Sequence, residues 1–226
     1  MRKRGYTCLA MQAAVRFFRV LAATLLLSML VFWPASLQAA GSLPNGQLGS
    51  ILQRLASNPA APSQYTADVQ LHLHMRYFPW ISRTVSGSEV YKHPGFYQFV
   101  FRDAPKALDQ LSGLEADLAD PRGWPQRYDV SLLVAPASGV EPVVRLSPKV
   151  HRQVKTLDIT VDMSRAHIDK AVWTRFDGGT ITMTQKYGTV AAHEVVSEQD
   201  AAVRIPSMSA DVTALYSNFA VDSGTH

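Results

Sequence analysis

Between residues 65 and 77 the chain alternates apolar and polar side chains without a break. Tyr65, Ala67, Val69, Leu71, Leu73, Met75 and Tyr77 fall on one side; Thr66, Asp68, Gln70, His72, His74 and Arg76 fall on the other. A period of two over this length predicts a long antiparallel strand with one dry and one wet face. Just upstream, Leu48, Ile51, Leu52 and Leu55 recur at the spacing of one helix face, and Asn58-Pro59 ends that helix. Shorter strand patterns follow at 84–91, 96–102, 128–134, 143–146, 157–162, 170–176 and 180–187, with weaker ones at 202–205 and 214–221. Asp177-Gly178-Gly179 reads as a tight hairpin connection. A second helix is predicted from Pro105 to Leu118, capped by Asp103 or Ala104, and loops at 120–125 and 135–142. Eight to ten antiparallel strands with two helices make a mainly β fold with flanking helices, one curved sheet or an incomplete barrel.

The first forty residues have a different pattern. Arg2, Lys3, Arg4, Arg16 and Arg19 precede or flank a run of fourteen mostly apolar residues, Val20 to Trp33. Pro34 breaks the run, and Ala35 to Ala40 supply small residues. This is the order of a secretory signal, with cleavage expected after Ala39 or Ala40. As a helix the run would rise only about 21 Å, short of the ~30 Å hydrocarbon core. The single cysteine, Cys8, precedes the apolar run, where it cannot serve as a lipidation site. The expectation is a signal peptide over 1–40 and one domain over 41–226, exported to the periplasm, soluble and not lipidated, with no transmembrane segment in the mature chain. A domain of that length buries about 70% of its unfolded surface and needs no disulfide to hold a core.

Removing the leader changes the charge. The chain has 22 basic and 18 acidic residues, and five of the basic ones precede residue 41. The remainder carries 17 basic against 18 acidic side chains, a net charge of −1 with histidine neutral. The basic pI thus belongs to the leader, and on the average charge nothing points to nucleic acid or anionic lipid.

No motif for catalysis or a cofactor stands out: there is no phosphate-binding glycine loop, nucleophile elbow or zinc-protease helix. Asp158 and Asp162 sit on the wet side of a strand beside Thr156 and Thr160, as solvated carboxylates do. His72 and His74 project to one side of their strand, so a two-histidine metal site competes with a solvated pair, but no third ligand can be assigned to that face. His93, His151, His167 and His193 read as surface or hydrogen-bonded residues. The expectation is no catalytic residue, no metal and no cofactor. The apolar signal is stronger. Tyr77, Phe78 and Trp80 cluster at the end of the long strand, and Phe96, Tyr97, Phe99 and Phe101 follow. Neighbouring aromatics on a strand point to opposite faces, which fits either a packed core or an apolar cavity within a curved sheet.

The segment GSEVYKHPGFYQFVF, Gly87 to Phe101, leads to Arg102-Asp103-Ala104-Pro105. It resembles the LolA-like family of lipoprotein carriers, in which a glycine-bearing strand, a basic-x-Pro-Gly turn and an aromatic strand follow a long strand and an N-terminal helix. The stretch from Leu157 to Tyr187 resembles the family's later hairpins, and Tyr216-Ser217-Asn218-Phe219 its last strand. The resemblance implies an unclosed antiparallel β-barrel with helices over its concave face and a cavity for acyl chains. The expected protein is a non-enzymatic periplasmic lipid or lipoprotein carrier, with an envelope donor or acceptor protein as candidate partner. A non-enzymatic scaffold or sensor domain of the same fold is the alternative. Leu71, Leu73, Met75, Phe99 and Trp173, chosen on apolar position alone, are the candidate lipid-binding residues.

Overall fold

The computed structural model describes residues 45–78, 80–93, 96–101, 118–150 and 153–221. The leader of the sequence analysis, His151 and nearly all of the expected 105–118 helix lie outside the described residues. That helix's last residue, Leu118, is described and is buried.

Helix α1 (Asn45–Ala56) opens the described chain. Its apolar stripe faces the sheet: Ile51 is fully buried, with Leu48, Leu52 and Leu55 packed around it. Beyond it the Asn58 side chain accepts from the Ala60 N–H and donates to the Ala166 carbonyl, turning the chain and fastening it to the sheet. Arg122 donates to the Ala56 carbonyl at the helix end, where a cation also suits the helix dipole.

Ten strands follow: β1 (Gln64–Met75), β2 (Ser82–Lys92), β3 (Phe96–Phe101), β4 (Tyr128–Val134), β5 (Val143–Pro148), β6 (Val154–Asp162), β7 (His167–Arg175), β8 (Thr180–Val190), β9 (His193–Ile205) and β10 (Met208–Val221). They form one sheet in the order β3-β2-β1-β10-β9-β8-β7-β6-β5-β4, every pairing antiparallel. The chain meanders except where β1 pairs with β10. Among the described residues β3 and β4 are unpaired edges, so the barrel is unclosed. Register shifts interrupt the ladders between Thr66 and Asp68, at Thr160/Val161 and at Lys186/Tyr187. Such bulges bend a sheet.

The alternation read in β1 holds. Tyr65, Ala67, Val69 and Leu71 are buried, Leu73 and Met75 are half-buried, and His72 and His74 are exposed. It ends at Met75, not at Tyr77, which is 69% exposed. There the Met75 N–H donates to the Ile81 carbonyl and the Ile81 N–H to the Phe78 carbonyl, reversing the chain before Tyr77 can join the ladder. The main core lies between the sheet and α1: Leu71, Val85, Leu146, Ile159, Trp173 and Val203 pack with Ile51 and Trp124.

A second departure is the expected loop at 120–125. Pro121–Gly123 forms a 3-10 turn and Trp124–Arg127 a one-turn helix, α2. Asp120 caps the turn by accepting from the Gly123 N–H, a proline sits at each start, and Trp124 is buried completely. The proline and glycine that read as loop punctuation serve here as helix-start residues.

Candidate functional site

At the end of the sheet where β1 begins, three tyrosines stand in register across three strands. Tyr65 pairs with Tyr91 and Tyr91 with Tyr97. Their ring centroids are 5.1 and 4.8 Å apart, and Phe219 packs 5.7 Å from Tyr65. The three tyrosine rings form one wall of a cavity of about 140 Å³. Leu55, Pro62 and Leu118 border it, and Ile168, His167, Tyr187 and Glu194 come from β7, β8 and β9. Tyr97 and His167 stand on strands six places apart in the sheet order. On a flat sheet they would be roughly 29 Å apart, so lining one small cavity requires strong curvature.

Glu89 lies behind the tyrosine wall. The period of two along β2 places it in line with Val85, Gly87 and Tyr91, and it is 1% exposed. Its Oε1 accepts a 2.8 Å hydrogen bond from the Tyr65 hydroxyl, while Oε2 has no partner among the described residues. Burial pushes the Glu89 carboxyl up to about 7, and the Tyr65 hydrogen bond offsets only part of that shift. Burial likewise raises the Tyr65 and Tyr91 hydroxyls, so both stay neutral.

The opposite wall is polar. His167 is 3% exposed, its Nε2 is 2.8 Å from Glu194 Oε2, and its ring stacks on Tyr187 with centroids 3.7 Å apart. Burial holds His167 below the usual histidine range, partly countered by Glu194. A neutral ring donating from Nε2 leaves the Nδ1 lone pair buried and unpartnered among the described residues. The Tyr187 hydroxyl accepts from the Ile168 N–H at 3.2 Å and lies 2.9 Å from Gln185 Oε1. Gln199, also lining the cavity, accepts from Tyr216. The pocket therefore offers aromatic and aliphatic surface on one side and hydrogen-bonding groups on the other, among them the Glu194 carboxylate that His167 engages.

None of the five residues named from the sequence lines this cavity. Leu71 and Trp173 belong to the packed core, Leu73 leans on its edge, Met75 is half-buried at the far end of β1, and Phe99 packs with Val69 and Tyr216. They share the face but lie further along it. His167 is hydrogen-bonded, as one of its two readings had it, and not on the surface. Of the other candidates, Asp158 makes a bidentate pair with Arg145 at 2.6 Å, and Asp162 accepts from Ser164 and Arg165 in the β6–β7 turn. His72 Nδ1 meets the Thr84 hydroxyl at 2.9 Å on the solvent face. Among the described residues no group of three or more potential metal ligands gathers.

A bent, unclosed antiparallel sheet with a helix on its concave face and a cavity at one end is the LolA-like fold. Solved structures share it. The chain is similar to a DUF1329 family protein from Desulfovibrio piger, with a TM-score of 0.59 and 13% identity over 81% of this chain and 95% of that one. It is also similar to a domain from Vibrio parahaemolyticus described as an outer membrane lipoprotein-sorting protein, with a TM-score of 0.55 and 11% identity over 80% and 94%. A LolA superfamily protein from Nitrosomonas europaea superposes with a TM-score of 0.50 and 10% identity over 78% and 94%. By sequence the chain matches no protein-family profile and no curated protein. At these identities the likeness establishes the fold. Among the described residues no helix is long and apolar enough to cross a membrane.

Proposed function

We propose that the protein is a soluble periplasmic carrier that binds the acyl chain of a lipid or lipoprotein, without enzymatic activity, beginning at the tyrosine-walled cavity. The observation that carries this reading is the cavity itself, set on the concave face beside α1 with an aromatic wall facing a polar one. Such a site suits an amphiphile: apolar carbon lies against Tyr65, Tyr91, Tyr97 and Ile168, and polar atoms reach His167, Gln185 and Gln199. The fold shared with a domain described as lipoprotein-sorting supports the same class of cargo.

Size limits what enters without movement. A cavity near 150 Å³ holds a benzene-sized molecule, so the present space admits the end of one acyl chain. Each methylene transferred contributes about 0.8 kcal/mol, and a longer chain gains more by displacing the side chains that border the cavity. Those are Leu55, the linker through Pro62, and Leu118 to Pro121, none of which belongs to the sheet ladder.

The alternative, a non-enzymatic scaffold of the same fold, is favoured by the packed core around Trp173, where Ile51, Leu71, Leu146 and Ile159 fill space on the concave face. Native mass spectrometry of protein purified from its own cell envelope separates the two. A carrier comes with lipid-sized adducts that organic extraction removes; a scaffold has the mass of the polypeptide alone.

A further inference from the structure

The end of the sheet opposite the cavity has its own chemistry. Ten residues of β1 separate Tyr65 from Met75, roughly 33 Å of extended chain. The register places four connections together at this far rim: β1–β2, β9–β10, β7–β8 and β5–β6. Large apolar side chains are exposed on three of them: Tyr77 69%, Phe78 49%, Trp80 78% and Ile81 44% on the first, Phe176 56% on the third and Val150 69% on the fourth. The β1–β2 turn is closed by the Phe78–Ile81 hydrogen bond, and Phe78 meets Trp80 edge-on at 5.6 Å, so these rings are presented by a defined turn.

The same rim is basic. The described residues of these turns, with two strand residues on either side, contain Arg76, Arg83, Lys149, Lys155, Arg175 and Arg204 against one acid, Asp177. Asp211, slightly further along β10, pairs with Arg76 and Arg204, and Asp177 pairs with Arg175. Six cations thus face two carboxylates at one end of a sequence whose net charge from residue 41 is −1. The average charge, which pointed away from anionic lipid, conceals a basic rim balanced by acidic surface elsewhere.

We propose that this rim docks the protein on the anionic surface of a lipid bilayer, with Phe78 and Trp80 seated at the headgroup boundary and the arginines and lysines against lipid phosphates. Tryptophan and tyrosine favour this boundary because each has an apolar body and a polar tip. Basic side chains add attraction to anionic headgroups that falls off within a Debye length. Apolar groups spread over three separate protruding turns suit a deformable bilayer better than the shaped pockets of a protein partner. The proposal does not rest on the acyl-cargo reading, and cargo-free protein tests it.

The experiment uses protein expressed from its full reading frame, mixed with phosphatidylcholine vesicles with and without phosphatidylglycerol. Trp124 and Trp173 are buried, so the difference in fluorescence between wild type and Trp80→Phe isolates Trp80. The expected result is sedimentation with the anionic vesicles, weakened by salt, with a blue shift and brominated-lipid quenching of Trp80. Removing one interfacial charge by Arg83→Gln should weaken binding about fivefold. Trp80→Ser should weaken it about tenfold or more. Both positions are exposed, and unchanged thermal unfolding confirms the fold. No association with either vesicle, association indifferent to both substitutions, or loss of Trp80 exposure through self-association on sizing would each overturn the proposal.

Discussion

The Tyr65 hydroxyl donates a 2.8 Å hydrogen bond to Glu89 behind the cavity wall that the Tyr65 ring helps form, and both side chains are buried. Because burial raises the Glu89 carboxyl from 4.5 to about 7, the folded state keeps a proton that the unfolded chain releases. The contribution is therefore fully present below pH 4.5 and is lost as pH rises through 7, at a cost of about 3 kcal/mol. Glu89→Gln keeps an acceptor for Tyr65 and removes the ionisable group. Thermal unfolding between pH 4.5 and 8 should show the substituted protein more stable at pH 8, with this part of the pH dependence gone.

His167 works in the opposite direction. Its pKa is lowered by burial, with Arg165 adding to the effect and Glu194, Asp162 and Asp169 opposing it. The unfolded chain takes up a proton near pH 6.5 that the folded protein refuses, so this contribution is present above pH 6.5 and lost as pH falls through the folded value. In the Glu89→Gln background, stability should drop on acidification below pH 6.5. NMR titration should find His167 protonating below the usual histidine range.

The β8–β9 hairpin turns at Ala191 and Ala192, with φ of 49° and 68°. Two left-handed residues in a two-residue loop is the arrangement that normally takes Asn-Gly, and each alanine there costs about 1–2 kcal/mol. Replacing Ala191-Ala192 by Asn-Gly should stabilise the protein by roughly that amount, read as a higher denaturant midpoint with an unchanged slope.

Gly87 faces Phe101 across the β2–β3 ladder. A Cβ at Gly87 would stand 2.6 Å from the Val100 carbonyl oxygen and 2.6 Å from Phe101 Cδ1. A backbone oxygen on the paired strand cannot yield without breaking the ladder. Gly87→Ala should cost about 2 kcal/mol and speed amide exchange in Phe96–Phe101 ahead of the rest of the sheet.

The turns at Asp177–Gly179 and at Ala191–Ala192 mark where sequence reasoning reaches and where it stops. The strict alternation from Tyr65 identified β1, its inward face and the solvent side of His72 and His74, because burial on one side of a pleat leaves a period of two. Asp177-Gly178-Gly179 announced its hairpin by composition. Ala191-Ala192 did not, so β8 and β9 are longer than the pattern at 180–187 and 202–205 indicated. Glu89 was legible in principle, sharing a face with Val85 and Tyr91. The cavity was not: Tyr97, His167, Tyr187 and Glu194 meet only through the register and curl of a ten-stranded sheet. Leu71, Leu73, Met75, Phe99 and Trp173 were placed on the inner face, but their position along it depends on where α1 and Trp124 fill the core.

The most direct test of acyl binding is displacement of a fluorescent fatty-acyl probe from lipid-stripped protein, comparing wild type with Val195→Phe. Val195 lines the cavity and is 2% exposed, so a phenyl ring there occupies space that the chain would use. Excluding two methylenes should weaken binding more than about tenfold. Thermal unfolding bounds any overpacking cost, and Trp80→Ser, at the opposite rim, serves as the control with unchanged affinity. The account predicts saturable, competable binding by wild type and its loss in Val195→Phe. Folded wild-type protein without saturable binding, or Val195→Phe with undiminished affinity, would contradict it.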